Sequence, residues 1–163
     1  MKEIFLILFL VLGMHSSFAE EENERPNIEI FQDWIVNCNS ENKLCIGNQT
    51  IRTEKGLPVA LINITHVDEN TILEFGLPLM LNLKEGITVE IDNNIFASYD
   101  FNVCSGSACF VITKNNTALI NSFKSGSEAK VKARTIYGET LNLNFSLLGF
   151  SRSLEELISR NRI

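Results

Sequence analysis

The body of the chain reads with a period of two. Leu141, Leu143, Phe145 and Leu147 interleave with Thr140, Asn142, Asn144 and Ser146, and just before them Ala129, Val131 and Ala133 interleave with Lys130, Lys132 and Arg134. Such alternation predicts strands with one buried and one wet face. Tyr137-Gly138-Glu139 joins the two as a short hairpin turn, in which Gly138 supplies the positive φ that such turns often need. Ile28, Ile30, Trp34, Val36 and Cys38 share one face of a predicted first strand, which buries the single tryptophan. Further strands are expected around 45–51, 59–66, 72–77, 88–92, 95–101, 109–113 and 118–123. Asn93-Asn94 and Asn115-Asn116 are turn dipeptides, because asparagine tolerates the left-handed region. Short strands at this spacing predict an all-β fold, an antiparallel β-sandwich.

A helical period occurs once, at the C-terminus. Ser153-Leu154-Glu155-Glu156 fits a capping box, in which serine and glutamate satisfy each other's unpaired backbone donors. Leu154, Leu157 and Ile158 then share a face, and Glu156 can meet Arg160 one turn on. The expectation is a short C-terminal helix over about 153–161 that closes one end or edge of the sandwich. No repeat or low-complexity linker divides the chain, so residues 28–163 are expected to form one domain.

The N-terminus reads as an export signal. Lys2 gives a positive start, Ile4 to Leu12 are unbroken apolar residues, and Ser17-Phe18-Ala19 places small residues where signal peptidase cuts. Residues 1–19 are therefore expected to be a signal peptide. A membrane-spanning helix needs about 20 apolar residues, and Gly13, His15 and Ser16 end this run well short of that. Residues 20–27 form an acidic lead-in beginning Glu20-Glu21-Glu22-Asn23-Glu24, expected to stay flexible. The formal charge of −6 argues against nucleic acid and against simple electrostatic adhesion to anionic lipid. No transmembrane segment is expected in the mature chain.

Four cysteines, Cys38, Cys45, Cys104 and Cys109, stand behind this leader. Export into an oxidising compartment predicts disulfides, and three pairings are possible. Local pairing closes two short loops worth roughly 2 to 2.5 kcal/mol each, whereas a crossed bond would be worth roughly 4 kcal/mol. Local pairing is nonetheless preferred, since one loop brings each pair together without further demands on the fold. A redox pair is usually Cys-x-x-Cys at a helix start, and zinc favours knuckles of that spacing. Neither pair here has two intervening residues.

Other chemistry is sparse. His66 is the one histidine outside the leader, and no nucleophile-elbow motif accompanies it. Asp68 with Glu69, or Asp92 with Asp100, could supply an acid and a base, but carboxylates are common on any acidic surface. Lys130, Lys132 and Arg134 form a possible interaction surface for an anionic sugar, a phosphate or an acidic partner, or else a solvated strand face that discourages edge pairing. Asn48, Asn63, Asn115 and Asn144 each begin a glycosylation acceptor triplet. No cofactor, metal site or catalytic residue is predicted.

Phe31-Gln32-Asp33-Trp34-Ile35-Val36-Asn37-Cys38, then Leu44-Cys45-Ile46, Leu77-Pro78, Gly86-Ile87 and Ile91-Asp92 follow in order. After them come Phe101-Asn102-Val103-Cys104, Cys109, Phe123-Lys124-Ser125-Gly126 and Ser146-Leu147-Leu148-Gly149-Phe150. This ordered set resembles the invasion-associated locus B family of Gram-negative bacterial envelope proteins over nearly all of the chain from Phe31 onward. The resemblance implies an immunoglobulin-like β-sandwich exported to the periplasm, outer-membrane associated or secreted, in a family named for a member linked to host-cell invasion. It carries over Trp34, the four cysteines and Gly149-Phe150 as structural landmarks, and no enzyme. Two turns depart from the family pattern, with Met80 and Ala108 where glycine is usual.

The expectation is thus an exported, non-enzymatic envelope protein acting through surface interactions with an unknown envelope or host protein or another envelope component. Two alternatives stand beside it. One is an exported thiol-redox protein using Cys104 and Cys109, or another enzyme. The other is a small-ligand or glycan-binding module.

Overall fold

The computed structural model of the chain describes residues 27–161. The expected leader and residues 20–26 of the acidic lead-in lie outside the described residues. Eleven strands form two antiparallel sheets. The larger contains β1 (Ile28–Phe31), β2 (Trp34–Cys38), β3 (Cys45–Arg52), β4 (Pro58–Val67), β5 (Asn70–Leu77), β8 (Val103–Cys104) and β9 (Cys109–Lys114), in the spatial order β1-β2-β3-β4-β5-β9-β8. The smaller contains β6 (Ile87–Ile91), β7 (Asn94–Tyr99), β10 (Glu128–Arg134) and β11 (Thr140–Ser146), in the order β11-β10-β6-β7. The expected immunoglobulin-like antiparallel sandwich is therefore present, its large sheet wired mainly as a meander of hairpins.

Period two explains most of these strands. Ala129, Val131 and Ala133 of β10 and Leu143 and Phe145 of β11 are buried, and their partners across the hairpin share the same face. On the large sheet Trp34, Val36, Ile62, Ile64, Leu73, Phe75 and Val111 project inward. The first strand departs from expectation. It breaks at Gln32-Asp33, where Gln32 takes a φ of 54°, and turns back as the β1–β2 hairpin pairing Ile30 with Ile35. That register puts Ile28 and Ile30 on the opposite face from Trp34, where both are exposed.

The second departure is helical. Residues 117–125, expected in part as a strand, form α1 (Thr117–Ser125). Asn116 caps it by accepting the Leu119 amide at 3.1 Å, and the buried Leu119 and Phe123 lie one turn apart.

The C-terminal helix α2 (Phe150–Arg160) starts earlier than the serine-based cap implies. Gly149 precedes it with a φ of 96°, and a Cβ there would sit 1.8 Å from the Phe31 carbonyl oxygen, so only glycine fits. Ser153 lies inside the first turn, buried, its amide bonded to the Gly149 carbonyl at 3.0 Å. α2 packs on β1 to β4, from the β1 edge of the large sheet inward. A Cβ on Gly47 of β3 would meet Ile64 at 2.6 Å and Leu157 at 3.3 Å, so the bare glycine lets the helix seat against the sheet.

Aromatic rings tie these layers together edge to face. Trp34 meets Phe150 at 5.2 Å, Phe150 meets Phe123 at 5.2 Å, and Phe123 meets Phe75 at 6.3 Å. Edge-to-face pairs of this kind add about 0.5–1.5 kcal/mol each beyond area burial. The indole Nε1 donates to the Ser146 carbonyl at 3.0 Å, so the buried ring leaves no polar atom unpaired.

Candidate functional site

The four cysteines fall into two local, cross-strand pairs. Cys38 and Cys45 face each other across β2–β3 and are bonded at 2.04 Å, and Cys104 and Cys109 do the same across β8–β9 at 2.07 Å. Each bridge closes the mouth of one hairpin, and no described cysteine is free. Cys45 and Cys109 are buried.

The end of α2 grips the first bridge. The Cys45 amide donates to Asn161 Oδ1 at 2.9 Å, and Asn161 Nδ2 donates back to the Cys45 carbonyl at 2.9 Å, both in a buried setting. Arg160 pairs with Glu29 of β1 and Glu156 of its own helix, and its Nη1 lies 3.4 Å from Cys38 Sγ. With two carboxylates around it, the guanidinium is neutralised locally and serves to join β1, α2 and the bridge. A cleft of about 440 Å³ opens beside this junction, lined by Asn27, Cys38, Asn39, Lys43 and Arg160 among others.

The basic stripe is less available than its sequence suggests. Lys132 pairs with Glu90 of the adjacent β6, a carboxylate that is mostly buried, and Lys130 Nζ lies 3.3 Å from Asn93 Oδ1. Arg134 is exposed at the end of β10. The structure does place the three side chains on one outer face.

The remaining candidates have structural partners. His66 Nδ1 lies 2.9 Å from Thr71 Oγ1 across the β4–β5 hairpin. Asp68 and Glu69 form the turn of that hairpin with φ values of 48° and 64°. Asp92 Oδ1 accepts the amides of Ser127 and Glu128, both at 3.0 Å. Asp100 follows the far end of β7 from Asp92, so the structure does not bring this pair together. Among the described residues no group of three or more His, Cys, Asp or Glu could hold a metal ion.

On the outer face of the large sheet a polar ladder runs across three strands. Thr50 Oγ1 donates to Asn48 Oδ1 at 2.7 Å, Asn48 Nδ2 to Asn63 Oδ1 at 2.7 Å, and Asn63 Nδ2 to Glu74 Oε1 at 2.8 Å. Asn115 likewise accepts the Thr71 amide and donates to Asn70, each at 2.8 Å. Three of the four acceptor asparagines thus spend their amides within the fold. Tyr99 is half-buried, and that burial pushes its phenol pKa up, against a smaller downward pull from the Asn116 amide donating at 3.0 Å.

The Glu156–Arg160 pair is as expected, whereas sequence reasoning missed Asn161 and the reach of Arg160 to Glu29 and Cys38, partners distant in the chain. It also missed a cluster of exposed apolar loop residues, Leu79, Met80, Leu83, Ile136 and Tyr137.

Residues 34–157 match the family model described as invasion associated locus B protein. The chain belongs to the invasion-associated locus B family. Among curated proteins it is similar to an invasion protein B homolog of Brucella abortus strain 2308, 24% identical over 138 residues that cover 79% of this chain and 78% of the relative. The corresponding homolog of Brucella abortus biovar 1 strain 9-941 matches equally. Among solved structures, invasion associated protein B from Bartonella henselae superposes with a TM-score of 0.72 at 17% identity, covering 81% of this chain and 96% of that one. At that identity the likeness speaks for the fold.

Proposed function

We propose that this invasion-associated locus B family protein is an exported, non-enzymatic component of the cell envelope of a Gram-negative bacterium, working in the periplasm through contacts with another protein or envelope component. Residues 1–19 serve as its signal peptide, and 28–163 as one domain. The observation that carries this reading is the pairing of all described cysteines into hairpin-closing bridges, since such bonds persist in oxidising compartments. The leader-like N-terminus supports it, and no helix among the described residues is long and apolar enough to cross a membrane. The scattered placement of His66, Asp92 and Asp100 favours a binding role over catalysis. The names of the relatives extend the proposal to a part in host-cell invasion.

Fractionation of the native organism combined with crosslinking tests it. Recovery in the periplasmic or outer-membrane fraction with a crosslinked neighbour is expected. Retention in the cytosol overturns it. Thiol titration of native protein separates it from a redox role, for which a reactive, easily reduced Cys104–Cys109 pair would be found.

A further inference from the structure

The loop 78–86 and the β10–β11 turn build an apolar platform at one end of the sandwich. Leu81 is buried at 5% exposure and bridges to Thr135. Main-chain bonds extend that bridge on both sides, from the Asn82 amide to the Arg134 carbonyl at 2.7 Å and from the Ile136 amide to the Met80 carbonyl at 2.9 Å. The turn is closed by the Thr135 amide on the Glu139 carbonyl at 2.8 Å. On this fixed base Leu79, Met80, Leu83, Ile136 and Tyr137 point outward, with Met80 54% and Tyr137 74% exposed. Together they present on the order of 400–500 Å² of apolar surface, the size at which a surface patch is often functional.

Met80 holds a φ of 69°. A non-glycine residue there costs about 1 kcal/mol or more. Its side chain gains little burial in return, so the fold keeps a strained residue that displays a large apolar group to the outside.

Charge is distributed unevenly between the two ends of the sandwich. Arg52, Lys55, Lys84 and Arg134 stand at the platform end against Glu54, Glu85, Asp100 and Glu139, and Asn82 Nδ2 donates to Glu85 at 2.6 Å. The platform end is thus balanced within a chain of net charge −6. β5 ends and β6 begins at the platform, so their other ends carry Asp68, Glu69 and Asp92 away from it, and together with Glu41 and Glu128 these outnumber Lys43, Lys114 and Lys130 at that end. Asn27, whose carbonyl accepts the Cys38 amide at 2.7 Å, lies at that opposite end.

We propose that the Leu79, Met80, Ile136 and Tyr137 platform seats the folded protein on a phospholipid bilayer, with its acidic end turned away. Protruding aliphatic tips with a tyrosine suit the interface between headgroups and acyl chains, where apolar area sets the strength of attachment. The charge polarity orients the molecule, because the acidic end is repelled by anionic headgroups while the balanced end is not. This deepens the envelope reading and rests on it, since the chain meets such a surface only after export.

Flotation of the purified mature chain with vesicles of phosphatidylethanolamine and phosphatidylglycerol tests the proposal. Wild type should float with the vesicles and remain attached at high salt, as apolar contact requires. Met80→Gly removes the side chain while relieving the backbone, so it should fold with an unchanged or higher Tm and bind about tenfold less tightly. Ile136→Ser with Tyr137→Ser should abolish flotation. Ile95→Ser, which alters an equally exposed residue near the β6–β7 turn at the opposite end, should leave it intact. Absence of wild-type flotation, or equal flotation of Met80→Gly and wild type, overturns the proposal. A dimer in solution that Met80→Gly dissolves, without flotation, assigns the platform to a second copy and overturns it too. Fractionation reports on export alone, so the two readings fail separately.

Discussion

Asn161 and Cys45 lie 116 residues apart and hold each other through two reciprocal hydrogen bonds, amide to side-chain oxygen and side-chain nitrogen to carbonyl. The pair acts as an extra rung on β3, supplied by the residue that caps α2. It couples the seating of the helix to the Cys38–Cys45 hairpin. Asn161→Ala leaves the Cys45 amide and carbonyl unpaired in a buried place, at a cost of about 2–3 kcal/mol. Urea denaturation followed by circular dichroism should show a lower midpoint with an unchanged slope.

Gly149→Ala should be among the most damaging single substitutions. The added Cβ meets a backbone oxygen at 1.8 Å in a left-handed conformation, so neither a rotamer nor a neighbouring side chain can give way. A loss of at least about 3 kcal/mol is expected, read as a large drop in Tm or failure to recover folded protein. Gly138→Ala, at a φ of 85° with open space around it, should cost about 1–2 kcal/mol.

Removing the bridges one at a time should give separable losses. Each short loop is worth roughly 2 to 2.5 kcal/mol in the chain-entropy account. The Cys104→Ser, Cys109→Ser double substitution should stay near that figure, because its hairpin lies at the β8 edge of the large sheet. The corresponding change at Cys38 and Cys45 should cost more, because it also loosens the grip on Asn161. Equal losses in equilibrium denaturation would argue against that coupling.

Stability should fall at high pH through Tyr99. Burial raises its phenol pKa in the folded protein, so above the ordinary value the unfolded chain releases its proton first. The contribution is fully present below about pH 10 and is lost as pH rises through the folded value. Tm measured across this range should decline less steeply for Tyr99→Phe than for wild type.

The sandwich was legible in the sequence because alternation survives wherever one face is wet. The β10–β11 hairpin shows this best, with Gly138 marking its turn and every lysine outward. Where the reading failed, a tertiary contact or an inconspicuous turn had overruled the local pattern. Gln32 takes a left-handed turn without a glycine to announce it, and the reversal moved Ile28 and Ile30 to the outside. Leu119 and Phe123 have helical spacing, but apolar Ala118 and Ile120 beside them hide it. Gly149, not Ser153, sets the start of α2, because the approach of Phe31 decides the matter. The cysteines and the basic stripe were visible as residue types, yet the neutralisation of Lys132 by Glu90 depends on strand order. The apolar platform has no sequence period at all, since its members come from two loops joined only by main-chain bonds.

Because the sole indole rests edge-on against a ring of α2, its fluorescence is a native gauge of helix docking. Emission should be blue-shifted while Phe150 is in place and move to longer wavelength when the helix lifts away. The chain therefore carries its own optical probe, and local release of α2 can be followed apart from global unfolding without attaching a dye.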